Sequence, residues 1–240
     1  MQAEYPTNIR PSALLASLFS QEVLAVQACG SIAAESLHPA EAEYVARAVP
    51  KRLAEFAAGR ACARVALAQL GVASFTLHVG ADREPLWPPG ITGSITHTAG
   101  FCGVVAAQQR HIASLGVDAE VHRAVRVELR RAICTPAEER HLEQLPPDRA
   151  ADLATVVFSA KEAFFKCQFP LTRQWLNFHD VSVEYEDPLR AFTAAHSAVE
   201  LRILPHRSLE IERWSAPPWA GRLACDSELV ATGFAIAARP

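Results

Sequence analysis

Six cysteines are spread through the 240 residues with no C-x-x-C pair among them. That spacing argues against both a disulfide framework and a zinc site. Most lie in apolar runs such as 61–65 and 164–169, where a thiol behaves as a small hydrophobe. No apolar run approaches the ~20 residues that a membrane span needs. The apolar stretch 13–19 is soon followed by Gln21 and Glu22, with no cleavage-like site after it. Low-complexity tracts and short-period repeats are also missing. Positive charge is not in excess either: 23 Lys and Arg against 26 Asp and Glu leave a net charge of -3. A general nucleic-acid binder, which draws its affinity from cations on phosphates, is thereby excluded. Any anionic ligand must be met by a local cluster of arginines. What remains is a soluble, reduced, cytoplasmic protein. It is half hydrophobic by composition, enough to build one large domain or two small ones.

The chain alternates helix signals with strand signals. A long helix is expected over 50–70, opened by Pro50 and stopped by Gly71, with Leu53, Phe56, Ala57, Val65, Leu67 and Leu70 on its core side. Residues 76–79 alternate like a short strand, and 82–90 carry too many prolines and turn residues for regular structure. Runs at 93–98, 103–107 and 113–119 read together as an antiparallel meander. Thr135, Pro136 and Glu138 spell an N-cap, a first-turn proline and a capping box. A second long helix follows over about 149–167, with Leu153, Val156, Val157, Ala160, Phe164 and Cys167 at helical spacing. Residues 181–185, 209–214 and 229–237 read as strands. The order helix, strands, helix, strands predicts an α+β pseudo-dimer of two similar halves, each a long helix on a small antiparallel sheet. The halves are taken as 1–112 and 113–240; this duplication rests on element order, with no residue-level repeat evident.

Three stretches carry chemistry. Asp118 and Glu120 are two apart, so in a strand both point to one side. Two carboxylates held that close repel, and a hard divalent cation such as magnesium relieves the repulsion. Two ordinary surface acids at a strand end are the plain alternative. Glu162 and Lys166, four apart, share one helical face. They could be a solvated pair, or Ser159 and Glu162 a capping box, or Glu162 a third carboxylate brought to the metal by packing. His97 sits among Thr96, Thr98, Ala99 and Gly100 at a strand end, a setting open to a ligand. Arg52, Arg60 and Arg64 repeat at multiples of four and could form a phosphate-attracting stripe or merely a solvated helix edge.

Taken in order, these stretches resemble the 4′-phosphopantetheinyl transferases of the surfactin-synthetase and enterobactin-synthase activating type. The family pattern is S-H, then G-[IV]-D-x-E, then [WF]-x-x-K-E-[AS]-x-x-K. Here it reads Thr96-His97, Gly116-Val117-Asp118-Ala119-Glu120, and Phe158-Ser159-Ala160-Lys161-Glu162-Ala163-Phe164-Phe165-Lys166. The segment 85–94 and the Ala58-Gly59-Arg60 helix resemble the enterobactin branch in particular, which points toward siderophore or other secondary metabolism. The resemblance covers about 51–167. Thr96 stands where the family usually has Ser, but keeps a hydroxyl able to reach phosphate.

The resemblance implies two α+β halves with coenzyme A in the cleft between them. Asp118, Glu120 and Glu162 would hold Mg²⁺ on the pyrophosphate. Arg52, Arg60, Arg83, Thr96 and His97 would grip the nucleotide end, and Lys166 would lie along the pyrophosphate. Asp118, Glu162 and Lys166 form the expected catalytic set, with Glu162 the candidate base on the attacking serine. The second substrate would be an acyl or peptidyl carrier protein, commonly acidic, for which Arg123, Arg126, Arg130 and Arg131 offer a basic patch. A cleft complete within one chain points to a monomer. The alternative is a non-catalytic coenzyme A- or nucleotide-binding protein of the same fold. The intact acid trio and Lys166 count against it.

Overall fold

The computed structural model describes residues 8–30, 32–33, 36–186, 188–192 and 197–239. In chain order come β1 (Ile9–Pro11), α1 (Ala13–Ala16), β2 (Leu24–Cys29), α2 (Pro39–Ala42), α3 (Pro50–Gln69), β3 (Ile91–Thr98) and β4 (Phe101–Gln108). They are followed by β5 (Ile112–Val121), α4 (Arg130–Ile133), α5 (Pro136–Glu143), α6 (Pro147–Thr172), β6 (Val181–Glu184), β7 (Val199–Pro205), β8 (Trp219–Cys225) and β9 (Leu229–Ala237). The strands form two antiparallel sheets, ordered β1-β2-β4-β3 and β5-β9-β8-β7-β6. Within them, β2-β4-β3 and β5-β9-β8 are built alike. In each, the strand preceding the long helix pairs with the last strand of its half, which pairs with the one before it.

Each long helix packs on its own sheet. Helix α3 starts at Pro50, whose missing N–H is no loss in the first turn, and ends before Gly71 at φ 86°. Its buried Ala57, Ala61, Cys62 and Ala66 meet Val26, Val104 and Ala106. Small side chains let the helix lie close, and a Cβ on Gly59 would come within 3.2 Å of Ile95 Cγ2. Helix α6 buries all six expected residues, Leu153 through Cys167, against Val183, Ile203, Leu223, Val230 and Phe234. Each large apolar side chain so buried contributes about 1.5–3 kcal/mol. A third cluster joins the halves: Leu14, Leu15 and Leu18, in and just after α1, pack with Val105 of β4 and with Val117, Ala224 and Ala231 of the second sheet.

Several expectations need correction. Residues 76–79 form no strand. The Leu77 N–H is taken by Glu41 Oε1 at 3.0 Å and its carbonyl by Arg60 Nε at 2.9 Å, leaving only an isolated bridge from Val79 to Pro85. The meander stops at the β3–β4 hairpin, turned at Gly100 (φ 76°), because β5 pairs with β9 instead. Residues 209–214 hold a 3₁₀ turn, Glu210–Arg213, in which the Glu212 carboxylate caps the Leu209 N–H at 2.8 Å. Buried Leu209 and Ile211 had produced the strand-like alternation. Helix α6 continues past Pro170 to Thr172 and ends where Arg173 turns left-handed at φ 56°.

A residue-level repeat does exist. Pro39-Ala40-Glu41 and Pro136-Ala137-Glu138 each open a short helix, and each glutamate returns to the N–H of its own N-cap residue, His38 or Thr135. Each is met 23 residues later by a cation on the long helix: Arg64 on Glu41 at 2.9 Å, Lys161 on Glu138 at 2.7 Å. Each also accepts a backbone N–H from the segment after that helix, Leu77 or Val183.

Candidate active site

The acid pair lies on β5 where α6 crosses it. Gly116 permits that crossing, since a Cβ there would overlap the Ala163 carbonyl oxygen and the Cys167 backbone nitrogen. Ser159 sits in mid-helix, with its hydroxyl on the Asp118 carbonyl at 3.3 Å and on Thr232 at 2.8 Å, which removes the capping-box reading. Ser114 closes the other end of the crossing by donating to the Cys167 carbonyl at 2.6 Å. So fixed, α6 extends Lys166 Nζ to Asp118 Oδ1 at 2.6 Å and to the Val117 carbonyl at 3.4 Å.

A cleft of about 920 Å³ opens beside this pair. Glu162, Lys166, Phe165 and Phe169 of α6 form one wall, and Arg52, Glu55 and Arg60 of α3 with His97 form another. The 82–90 turn closes one end through Arg83 and Glu84, where Glu84 ion-pairs with Arg173 just beyond α6. The volume lies at the upper end of the roughly 300–1,000 Å³ usual for ligand pockets, which suits a cofactor-sized molecule.

The charges are arranged by side. Arg52 Nη1 lies 3.0 Å from His97 Nε2, and Glu55 Oε2 lies 3.7 Å from His97 Nδ1. An arginine only donates, so Nε2 is the acceptor and the proton of a neutral ring sits on Nδ1, facing Glu55. Burial lowers the pKa of His97, which favours that neutral form. Burial also lowers Arg60 to about 10, still cationic at neutral pH, with its guanidinium 4.1 Å over the Phe56 ring. On the acidic side, burial first and Asp118 second push Glu120 up to about 7. Glu162 is raised as well, mainly by burial, with Lys166 pulling it back and Asp118 adding to the rise.

Of the nine residues singled out in the sequence, Arg52, Arg60, Arg83, His97, Glu162 and Lys166 line the cleft. Asp118 is 4% exposed, and Lys166 holds one of its oxygens. Its Oδ2 is buried and finds no hydrogen-bond partner among the described residues. Thr96 is buried and turned toward β5: it accepts the Ala119 N–H at 2.9 Å and donates to Asp118 Oδ1 at 3.4 Å. Among the described residues, no three His, Cys, Asp or Glu side chains are gathered closely enough to hold a metal ion alone. Three bare carboxylates would repel, and Lys166 offsets one of them. The expected arginine patch is smaller than its sequence spelling. Arg123 pairs with Asp148 and Asp152, and Arg130 is buried, which leaves Arg126 and Arg131 exposed.

Sequence reasoning passed over Glu55, the aromatic wall and Lys161. Lys161 lies inside the motif next to Glu162, yet its ammonium is buried away from the cleft on Glu138, Ile133 and Phe178. The repeated Pro-Ala-Glu was the available signal.

A basic wall facing an acid–lysine wall across one cleft is the arrangement suited to an enzyme acting on a phosphorylated ligand. The comparisons define it further. Residues 40–107 match the 4′-phosphopantetheinyl transferase N-terminal domain and 114–217 the 4′-phosphopantetheinyl transferase superfamily. The chain is 36% identical over 201 residues to 4′-phosphopantetheinyl transferase PptT of Mycobacterium tuberculosis, covering 82% of this chain and 85% of that one. It is 38% identical over 205 residues to 4′-phosphopantetheinyl transferase Svp of Streptomyces mobaraensis, covering 84% and 79%. Against enterobactin synthase component D of Escherichia coli K12 it is 36% identical over 132 residues, 54% and 59% of the two chains. The chain belongs to the 4′-phosphopantetheinyl transferase superfamily. Its activity is transfer of the phosphopantetheine arm of coenzyme A to a carrier protein.

Proposed function

We propose that this transferase is Mg²⁺-dependent and divides its site by halves. Residues 1–112 supply a basic wall for the nucleotide end of coenzyme A through Arg52, Arg60, Arg83 and His97. Residues 113–240 supply the reacting wall through Asp118, Glu120, Glu162 and Lys166. The observation that carries this reading is the orphaned Asp118 Oδ2 beside a second acid that Asp118 pushes up in pKa, with Lys166 on the other oxygen. That donor set suits a hard cation, which uses one or two protein carboxylates plus water and phosphate oxygens. Asp118 and Glu120 would hold it, and Glu162 would have to close on it, since the three carboxylates are not gathered into one site in the free protein. When bound, Mg²⁺ would neutralise charge on the pyrophosphate oxygens.

The chain's own groups do the rest. The carrier serine attacks the β-phosphorus of coenzyme A, a new P–O bond forms, and the bond to the bridging oxygen breaks to release 3′,5′-ADP. Lys166 would face the pyrophosphate and offset charge on the leaving group. Glu162 would take the serine proton, directly or through water. Because both walls come from one chain, we infer a monomer.

Intact mass of an apo carrier after incubation with the enzyme, coenzyme A and Mg²⁺ tests the reading. The expected result is a gain of one phosphopantetheine that EDTA prevents and added Mg²⁺ restores. Transfer unaffected by EDTA would overturn the metal assignment. No transfer to peptidyl, polyketide or fatty-acid carriers, despite coenzyme A binding, would favour a non-catalytic binder.

Carrier docking is proposed at exposed Arg126 and Arg131, which follow the acid strand. Replacing both by Glu should raise the carrier KM about 5–10-fold, most strongly at low salt, and leave the coenzyme A KM alone. An unchanged carrier KM removes the patch from the docking surface.

A further inference from the structure

Strands β3 and β5 belong to different sheets, yet they run side by side where the halves meet. No backbone ladder joins them. The N–H groups of Val117 and Ala119, two residues apart and so aimed at one edge of β5, are accepted by Ser94 Oγ at 3.1 Å and Thr96 Oγ1 at 2.9 Å. The next hydroxyl along, Thr98 Oγ1, reaches Glu120 Oε2 at 3.1 Å, while Thr96 Oγ1 also reaches Asp118 Oδ1. Three hydroxyl residues at period two on β3 thus bridge to β5, the first two by taking the backbone N–H groups that a ladder would have used. Two of them end on the two acids.

We propose that Thr96 and Thr98 are positioning residues that aim the Asp118 and Glu120 carboxylates, so that the half without the acids sets their geometry. This rests on the reading of Asp118 and Glu120 as cation ligands. It also assigns Thr96 a role other than gripping phosphate, because its single O–H is directed at Asp118. Partners of this kind orient ligating carboxylates, and their loss typically weakens metal affinity about 10–100-fold. Ser94 meets only backbone, so it serves as the control for plain structural support.

The experiment is Mn²⁺ binding followed by electron paramagnetic resonance of the free ion, with coenzyme A present, alongside thermal melting. Thr98→Val keeps the shape and removes the hydroxyl; it should raise the Mn²⁺ Kd about 10-fold or more. Thr98→Ser should restore it to within about twofold. Thr96→Val should act in the same direction, and Ser94→Ala should lower the melting temperature with little change in Kd. Because Thr96 is buried and its variant risks misfolding, the partly exposed Thr98 decides the matter. Wild-type affinity in folded Thr98→Val would overturn the proposal. Asp118→Asn in the same assay separates the two ideas. If it also binds Mn²⁺ normally, the ligand assignment itself has failed; if it loses binding while Thr98→Val does not, only the positioning role has failed.

Discussion

Asp118→Asn should lose phosphopantetheinyl transfer by about 10²–10³-fold or more while the fold survives with only a modest change in melting temperature. The two halves of that expectation have one origin. Asp118 is buried within reach of Glu120, and the two acids are held together against their mutual repulsion. Among the described residues, nothing partners Asp118 Oδ2. An amide keeps the shape and relieves the repulsion from Glu120, which offsets part of what is lost with the Lys166 ion pair. Its amide nitrogen would supply the missing donor if turned toward Glu120. The loss falls on the loaded site, where the carboxylate is needed against a pyrophosphate and its counter-ion. Single-turnover mass spectrometry with saturating carrier, beside a thermal melt, reads both quantities. Glu162→Gln should lower the single-turnover rate as well, because it removes the proposed base. Near-normal turnover in Asp118→Asn would remove that residue from the reacting wall. Near-normal turnover in Glu162→Gln alone would remove only its role as base.

How far the site was legible in the sequence depended on how local its signals are. The spacing of Asp118 and Glu120 on one strand, and of Glu162 and Lys166 on one helix, left their roles open, and it was the resemblance of the three motifs taken together that singled them out. The partners of those residues come from other elements, and no local pattern announces them. Lys166 was read with Glu162, four residues away, but bonds Asp118 across 48 residues. The Thr98 hydroxyl reaches Glu120 across a junction between two sheets, a pairing that alternation of apolar and polar residues cannot encode.

The same distinction governs the fold. Both long helices were visible from their caps and apolar faces. Strands β7 and β8 were not, because they lie among Pro-rich and charged segments and are defined by their neighbours in the sheet. Residues 76–79 alternate like a strand but spend their backbone groups on Glu41 and Arg60. In both halves a buried glutamate ties the short helix, the long helix and the following segment into one unit. The duplication is therefore preserved in the polar framework even where the apolar residues have diverged.

That framework carries the largest stability prediction. Lys161→Ala should destabilise the fold by about 3–5 kcal/mol, although Lys161 is adjacent to Glu162 and inside the motif. All three ammonium protons have acceptors: Glu138 Oε2 at 2.7 Å and the carbonyls of Ile133 and Phe178, each at 2.9 Å. Its side chain is only 2% exposed, and burial lowers its pKa, so the charge is maintained by Glu138 against the cost of desolvation. Removing the lysine leaves that carboxylate buried with two backbone donors and no cation. The twin cation Arg64 has a side chain 20% exposed, so water can replace part of what Arg64→Ala removes, and the loss there should be smaller, about 1–3 kcal/mol. Urea unfolding of the two variants gives the ordering. A Lys161→Met/Glu138→Gln double variant should recover part of the loss, with an interaction energy near the top of the usual range of about 0.5–3 kcal/mol. Recovery should stay incomplete, because Glu138 also holds the N–H groups of Thr135 and Val183. If Lys161→Ala unfolds like the parent but has lost transfer, the ammonium acts in the chemistry rather than in the framework. If activity falls only as the folded fraction falls, its place in the motif reflects the anchoring of α6, which delivers Glu162 and Lys166 to the cleft.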